Sequence, residues 1–255
     1  MFLQMKIALF GVVGAASMVV AADAGFLGFV ASVRTVGANT VIDIFAGVAN
    51  SSDKFLNAYN ANISTTLAGG FVQKAGFYTK TWRPDGATST RSASDDSFMT
   101  AGGSAYGGEY YPSGQTNGDP NFTGTSWTPT ATSPPFTTVP PNAGWYTGDP
   151  DSLDNNAESL AGLIGRVNAG ATAASGNTAG SVGGAAANFG VWCGHIVVVG
   201  TGTMGTNILW NASMSIKDGV TGVTDQRISS FAAVPAPGAL ALLGIAGFAS
   251  RRRRA

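Results

Sequence analysis

The chain has 255 residues, of which 14 are Lys or Arg and 14 are Asp or Glu, with 36 glycines, one histidine and one cysteine. A single cysteine excludes an internal disulfide, and one cysteine with one histidine excludes a zinc site built from several such ligands. Residues 25–233, between the two terminal segments described below, carry 9 basic and 13 acidic side chains, a net charge of −4. Because nucleic-acid binding needs a basic surface, no nucleic-acid partner is expected.

The first 24 residues have the pattern of a secretory signal peptide. Lys6 is followed by an uncharged, mostly apolar run over residues 7–22. Ala22 and Ala24 place small side chains at the −3 and −1 positions of a cleavage site. The sequence therefore predicts export, removal of residues 1–24 by signal peptidase and a mature chain that begins at Gly25.

Between residues 25 and 233 the hydrophobic pattern is that of β-strands. Residues 207–217 alternate apolar and polar side chains, so one face should pack on a core while the other meets water. Residues 189–199 are apolar on both faces, which is typical of a central strand. Further strands are predicted over residues 26–36, 41–48, 55–66, 71–82, 97–101, 163–169 and 226–231. Short strands and glycine turns, without a convincing amphipathic helix, predict one all-β domain, a β-sandwich for which a jelly roll is one fitting architecture.

Residues 102–156 interrupt the strand pattern and are predicted to form a long loop inserted into the sandwich. The segment is dense in Gly, Pro, Ser and Thr, yet it holds eight aromatic side chains, which a disordered loop would lack. One interpretation is a loop that packs its rings over the edge of the sandwich. The other is a platform of exposed rings that stack on sugars.

Cys193 and His195 stand two residues apart in the strand predicted over residues 189–199. A period of two places both on one face with Val191 and Val197, where they would serve as core residues. Side chains at i and i+2 of a strand lie about 6–7 Å apart, which is too far for a catalytic dyad. A catalytic or metal-binding role is the alternative.

Residues 149–158 form the densest acidic cluster of the chain. Carboxylates in a flexible loop suit calcium, which takes oxygen ligands, although the spacing is not that of an EF-hand. The alternative is a solvated turn or the start of a helix. The candidate calcium ligands are Asp149, Asp151, Asp154 and Glu158.

The last 22 residues combine a proline break, an apolar run and an arginine cluster. The break, which keeps the chain extended, consists of Val234, Pro235, Ala236 and Pro237. Residues 238–250 are uncharged and would span about 20 Å as a helix, short of the roughly 30 Å of a bilayer core. Clustered arginine stays on the cytoplasmic side of a membrane. The cluster consists of Arg251, Arg252, Arg253 and Arg254.

This tail resembles the PEP-CTERM sorting signal of bacterial surface proteins, in which Val-Pro-Glu-Pro precedes an apolar stretch and an arginine cluster. Ala236 stands in the place of the usual Glu, and the Val-Pro-Ala-Pro-Gly-Ala form looks like a variant common in planctomycete-like bacteria. The resemblance implies that an exosortase-type membrane transpeptidase processes residues 234–255, with residues 238–250 as a short transmembrane helix. The protein would then reach the cell surface or an exopolysaccharide matrix.

The sequence as a whole predicts an exported surface or matrix protein with a structural or adhesive role and no enzymatic activity. The first alternative is a surface module that binds carbohydrate or calcium. A glycan-active hydrolase is the second, and it is disfavoured because no carboxylate pair stands out as acid and nucleophile. The expected partners are signal peptidase, an exosortase-type enzyme and extracellular polysaccharide.

Overall fold

The computed structural model describes residues 25–73, 82, 96–106, 109–119, 135–167, 174–179 and 187–231. The predicted signal peptide, residues 1–24, and the predicted sorting signal, residues 234–255, lie outside the described residues. The described chain is all-β, with antiparallel strands and one short α-helix, as the sequence predicts. Within this described part, no helix is long and apolar enough to cross a membrane.

The described elements match most of the predicted strands, and β1 and β11 have the predicted bounds. The strands are β1 (Phe26–Val36), β2 (Asn39–Val48), β3 (Lys54–Thr65), β4 (Phe98–Met99), β5 (Gly103–Tyr106), β6 (Glu109–Pro112), β7 (Thr116–Gly118), β8 (Ala143–Thr147), β9 (Glu158–Ser159), β10 (Ala174–Ala179), β11 (Phe189–Val199), β12 (Ile208–Lys217) and β13 (Thr224–Ser230). The helix is α1 (Leu160–Val167).

The strands form two large antiparallel sheets. The first sheet has the order β10–β1–β2–β11–β4, with β9 paired to the beginning of β11. The second sheet has the order β13–β12–β3–β8–β7, and β5 and β6 form a separate hairpin. The turn between β1 and β2 is tight, and Gly37 adopts a φ of 61° there, a conformation that favours glycine.

The two sheets pack face to face on one hydrophobic core. Phe29 of the first sheet and Trp210 of the second have ring centroids 5.5 Å apart, and Trp145 of β8 lies 5.9 Å from Trp210. All three side chains are buried in the same cluster. This packing gives the β-sandwich-like arrangement that the alternation in β12 predicts.

The outer face of the first sheet is also buried, because α1 lies on it. Leu163 and Val167 of the helix pack with Phe98 and Trp192 of the sheet. Burial on both faces explains why β2 and β11 read as nearly continuous apolar runs in the sequence. The prediction of a strand over residues 163–169 is wrong, since Leu160, Leu163 and Val167 have the spacing of one helical face.

Residues 102–156 are not one loop in the described part of the segment. They contain β5 to β8, and β8 joins the second sheet beside β3. Phe136 and Trp145 bury their rings in the core, whereas Tyr146 is 43% exposed. Of the strand predicted over residues 71–82, only residues 71–73 and 82 are described, and Phe71 packs its ring 5.2 Å from that of Trp82.

Trp210→Ala is expected to lower the free energy of unfolding by about 3–5 kcal/mol, because it removes a buried indole from the contact between the sheets. Asn211→Ala is the matched control on the adjacent, exposed position and should cost far less. Urea unfolding followed by tryptophan fluorescence and circular dichroism measures both. Equally small effects of the two substitutions would contradict the assignment of Trp210 to the buried face of β12 and of Asn211 to its exposed face.

Candidate functional site

A β-bulge in β11 determines where Cys193 and His195 point. Trp192 pairs with Phe45 and Gly194 with Ile44, so Cys193 is an extra residue without a partner on β2. The bulge shifts the alternation of side chains by one residue.

Cys193 consequently faces the core between the sheets, whereas His195 faces the outer side of the first sheet with Trp192 and Phe98. The prediction that Cys193 and His195 share one face is therefore wrong. Gly194 is small because an ideal Cβ there would lie 2.8 Å from the Trp210 ring.

A buried polar network surrounds Asp43 at the centre of the first sheet. The Asp43 Oδ2 atom accepts a hydrogen bond from Arg34 Nη1 at 2.5 Å, and Oδ1 lies 2.8 Å from His195 Nδ1. The Trp192 Nε1–H also donates to Oδ1 at 3.1 Å. Phe98 stacks on the His195 ring with centroids 5.0 Å apart. Arg34, Asp43 and His195 each expose 1% of their surface or less, so the network is sealed from solvent.

The charge of Asp43 is stabilised inside the protein by its partners. Burial by itself raises the pKa of the Asp43 carboxyl. The Arg34 guanidinium and the His195 ring outweigh burial through charge and hydrogen bonding, and they hold this pKa below its ordinary value. The carboxylate therefore stays ionised at neutral pH as the counter-ion of Arg34.

This network lacks the arrangement of a nucleophilic triad. Ser32 pairs with Asp43, and Asp43 pairs with His195, so the carboxylate stands between the hydroxyl and the imidazole. With strands about 4.8 Å apart, Ser32 and His195 are two strand spacings from each other. A Ser-His-Asp triad needs the imidazole in contact with the hydroxyl. The geometry and the burial indicate that the network holds the strands of the first sheet together.

The acidic segment distributes its carboxylates among separate partners. Asp149 Oδ1 accepts the backbone N–H of Asp151 at 3.0 Å, and Asp151 lies 3.9 Å from Lys54 Nζ. Asp154 Oδ2 accepts the Ser113 hydroxyl at 3.3 Å.

The fourth carboxylate of this segment, Glu158, pairs with Arg166 at 2.6 Å. Within the described part of the chain, no three or more His, Cys, Asp or Glu side chains are grouped to hold a metal ion. Calcium binding by these residues stays a prediction.

The outer face of the second sheet carries amides, hydroxyls, two tyrosines and the exposed aliphatic side chains of Leu209 and Ile228. We call this surface the amide face, and cross-strand pairing arranges it in three rows. The rows are Gln226–Ser215–Asn57–Tyr146–Asn117, Ile228–Ser213–Tyr59 and Ser230–Asn211–Asn62. None of these side chains is charged at neutral pH. The first row runs across all five strands of the sheet.

Sequence reasoning missed both the Asp43 network and the amide face. A lone aspartate in the apolar run of β2 was the available signal for the network, since a buried carboxylate needs a partner. The polar positions of β12 predicted a solvent-facing side of the strand, but they did not predict which residues of β3 and β13 pair with those positions. The residues of the predicted signal-peptide cleavage site, Ala22 and Ala24, and those of the predicted sorting signal lie outside the described part of the chain.

The chain matches no protein-family model, no curated protein and no solved structure. The interpretation of its function therefore depends on its own residues.

Asp43→Asn is expected to lower the free energy of unfolding at pH 7 by about 3–5 kcal/mol, because the buried Arg34 charge then loses its ion pair with the Asp43 carboxylate. Asp151→Asn is the matched control, since the Asp151 carboxylate is exposed and should contribute less than about 1 kcal/mol. Urea unfolding at pH 7 compares the two variants with the wild type.

The contribution of Asp43 should depend on pH in a defined direction. Because its folded pKa is lowered, the stabilisation is complete above the ordinary pKa of about 4 and is lost as the pH falls through the lower folded value. The difference in unfolding free energy between wild type and Asp43→Asn should therefore become smaller as the pH is lowered from 5. A difference that stays constant with pH would contradict an ionised Asp43.

Proposed function

We propose that the protein is an exported bacterial surface or matrix protein with a structural or adhesive role and no enzymatic activity. The observation that carries the proposal is the pairing of two export segments around one β-fold. Residues 1–24 have the order of a secretory signal peptide. Residues 234–255 have the proline break, apolar run and arginine cluster that resemble an exosortase sorting signal.

The length of the apolar run supports transient attachment to the membrane. Thirteen residues, 238–250, reach about 20 Å as a helix, which is less than the bilayer core. The following arginines hold the segment at the cytoplasmic side while the extended segment at Pro235 and Pro237 remains outside. This position suits cleavage and transfer by an exosortase-type enzyme.

The bounds of the described fold are compatible with processing at both ends. The Gly25 carbonyl accepts the Ala49 N–H at 3.3 Å, and the Phe231 N–H donates to the Trp210 carbonyl at 3.1 Å. Cleavage after Ala24 and near Val234 would thus leave every described strand and its backbone hydrogen bonds in place. The mature protein would keep both sheets.

The interior of the fold favours a structural role. Two large sheets share one core, and the titratable network at Asp43 is buried beyond the reach of a substrate. Cys193 is buried and carries no disulfide. The fold does not depend on a disulfide, and this is compatible with a location outside the cytoplasm.

Mass spectrometry of surface material is expected to show a mature chain that begins near Gly25 and lacks the four arginines 251–254. Substitution of these arginines by Ser should mislocalise or release the precursor, because nothing then stops the tail at the membrane. Substitution by Lys keeps the positive charge and is the matched control, which should stay at the membrane. Surface-localised protein with intact arginine termini would overturn processing by an exosortase.

A further inference from the structure

We propose that the amide face binds a neutral polysaccharide, meaning an extended, hydroxyl-rich chain without charged groups. The proposal deepens the proposed function by naming the chemistry of the matrix component that the protein would meet after export. It rests on that function for the location of the ligand. The binding surface itself is argued from the described residues alone.

The central row of the amide face has the chemistry and the length for an extended glycan. Its amides and hydroxyls both donate and accept hydrogen bonds, as sugar hydroxyls do. Four strand spacings of about 4.8 Å make the row about 19 Å long, which accommodates several sugar rings. The row begins at Gln226 on β13 and ends at Asn117 on β7.

Two polar atoms in the middle of this row lack hydrogen-bond partners. Ser215 Oγ and Asn57 Oδ1 belong to directly paired residues of β12 and β3, and both atoms are buried without a hydrogen bond. Ser215 is only 1% exposed. A buried polar group without a partner is destabilising, so a ligand hydroxyl that reaches these atoms would form a hydrogen bond that the free protein does not make.

A weak side-chain contact spans β12, the strand that carries Ser215. The Tyr59 hydroxyl, on β3, donates to Gln226 Oε1, on β13, at 3.5 Å. Because β12 lies between these strands, the two side chains meet above its small serines, Ser213 and Ser215. A bond at 3.5 Å is at the long limit for hydrogen bonding and is readily exchanged for bonds to a ligand.

Aromatic and aliphatic side chains supply the surface that sugar rings need. Tyr146 is 43% exposed in the central row, and Tyr59 is half-buried in the neighbouring row. A tyrosine ring offers an apolar face for the C–H side of a sugar and a hydroxyl for its polar edge. Ile228 adds an exposed aliphatic side chain beside Tyr59 and Ser213.

The charge distribution selects a neutral ligand. In the part of the chain that the structure describes, charged groups stand at the margins of the three rows, with Lys54 and Lys217 paired at one end of the sheet. The Asp119 carboxylate lies against Gly144 near the β7 edge. An ideal Cβ on Gly144 would be 2.6 Å from that carboxylate. An anionic polymer finds no cation within the rows. A second copy of the chain would meet mostly amides and hydroxyls, with Leu209 and Ile228 as the exposed aliphatic side chains, although the centre of a stable protein interface is apolar.

Binding is tested with the full-length chain, purified in mild detergent and incubated with insoluble polysaccharides. Cellulose, agarose and cross-linked dextran are the neutral probes, and cross-linked alginate is the anionic control. Depletion from solution gives the Kd. We expect saturable binding to at least one neutral polysaccharide and much weaker binding to alginate.

Ser215→Ala separates binding from folding. Loss of an unsatisfied buried hydroxyl should leave the melting temperature unchanged or raise it, yet it should weaken binding about three- to tenfold. Tyr146→Ala should weaken binding by a similar factor. Ser229→Ala is the matched control, since Ser229 is a buried serine outside the three rows, and it should bind as the wild type.

Several outcomes would overturn the proposal. They are a folded wild type that binds none of the neutral polysaccharides, equal binding to alginate, and wild-type affinity in both the Ser215 and Tyr146 variants. A dimer in sedimentation that Ile228→Asp dissociates would instead assign the face to contact between copies. Loss of binding with normal processing of the two termini would refute only this proposal, whereas binding without processing would refute only the export function.

Discussion

A carboxylate buried at the centre of a sheet persists only if both of its oxygens are satisfied, and Asp43 imposes this requirement on three strands. Arg34 comes from β1, Asp43 from β2, and Trp192 and His195 from β11. A slip of one residue in any of these strands would turn its contribution to the opposite face. The network therefore fixes the register of the first sheet. The bulge at Cys193 belongs to the same constraint, because without it His195 would face the core between the sheets.

The two sheets differ in how many of their faces are covered, and this difference connects the fold to the proposed role. The first sheet is covered by the second sheet on one side and by α1 on the other, so its central strands are apolar on both faces. Among the residues that the structure describes, the second sheet is covered on one side only and presents its amide face outward. The described first sheet is thus buried on both faces, while the second sheet has a broad face that is available for contact with the surroundings.

The sequence predicted those elements whose patterns are long and uninterrupted. The bounds of β1 and β11 were predicted to the residue, and β12 began one residue later than predicted. The segment that forms α1 is predicted as a strand from the sequence, because a short apolar run is compatible with both the helical and the strand period. The bulge could not be predicted, since one extra residue shifts the alternation without changing composition. The Asp43 network and the rows of the amide face depend on pairing between distant strands, for example Asp43 with His195, which a local pattern does not reveal.

The extra residue of the bulge has a kinetic consequence. The Cys193 thiol donates to the Ile44 carbonyl at 3.3 Å, and burial raises its pKa well above the ordinary value. The thiolate is the nucleophile that reacts with oxidants and alkylating reagents, and this site disfavours the thiolate and shields it from them. The thiol can react only when the sheets separate, so its rate of modification reports how often the sandwich opens. The protein thus carries, at the point where its strand alternation breaks, an internal probe of its own opening.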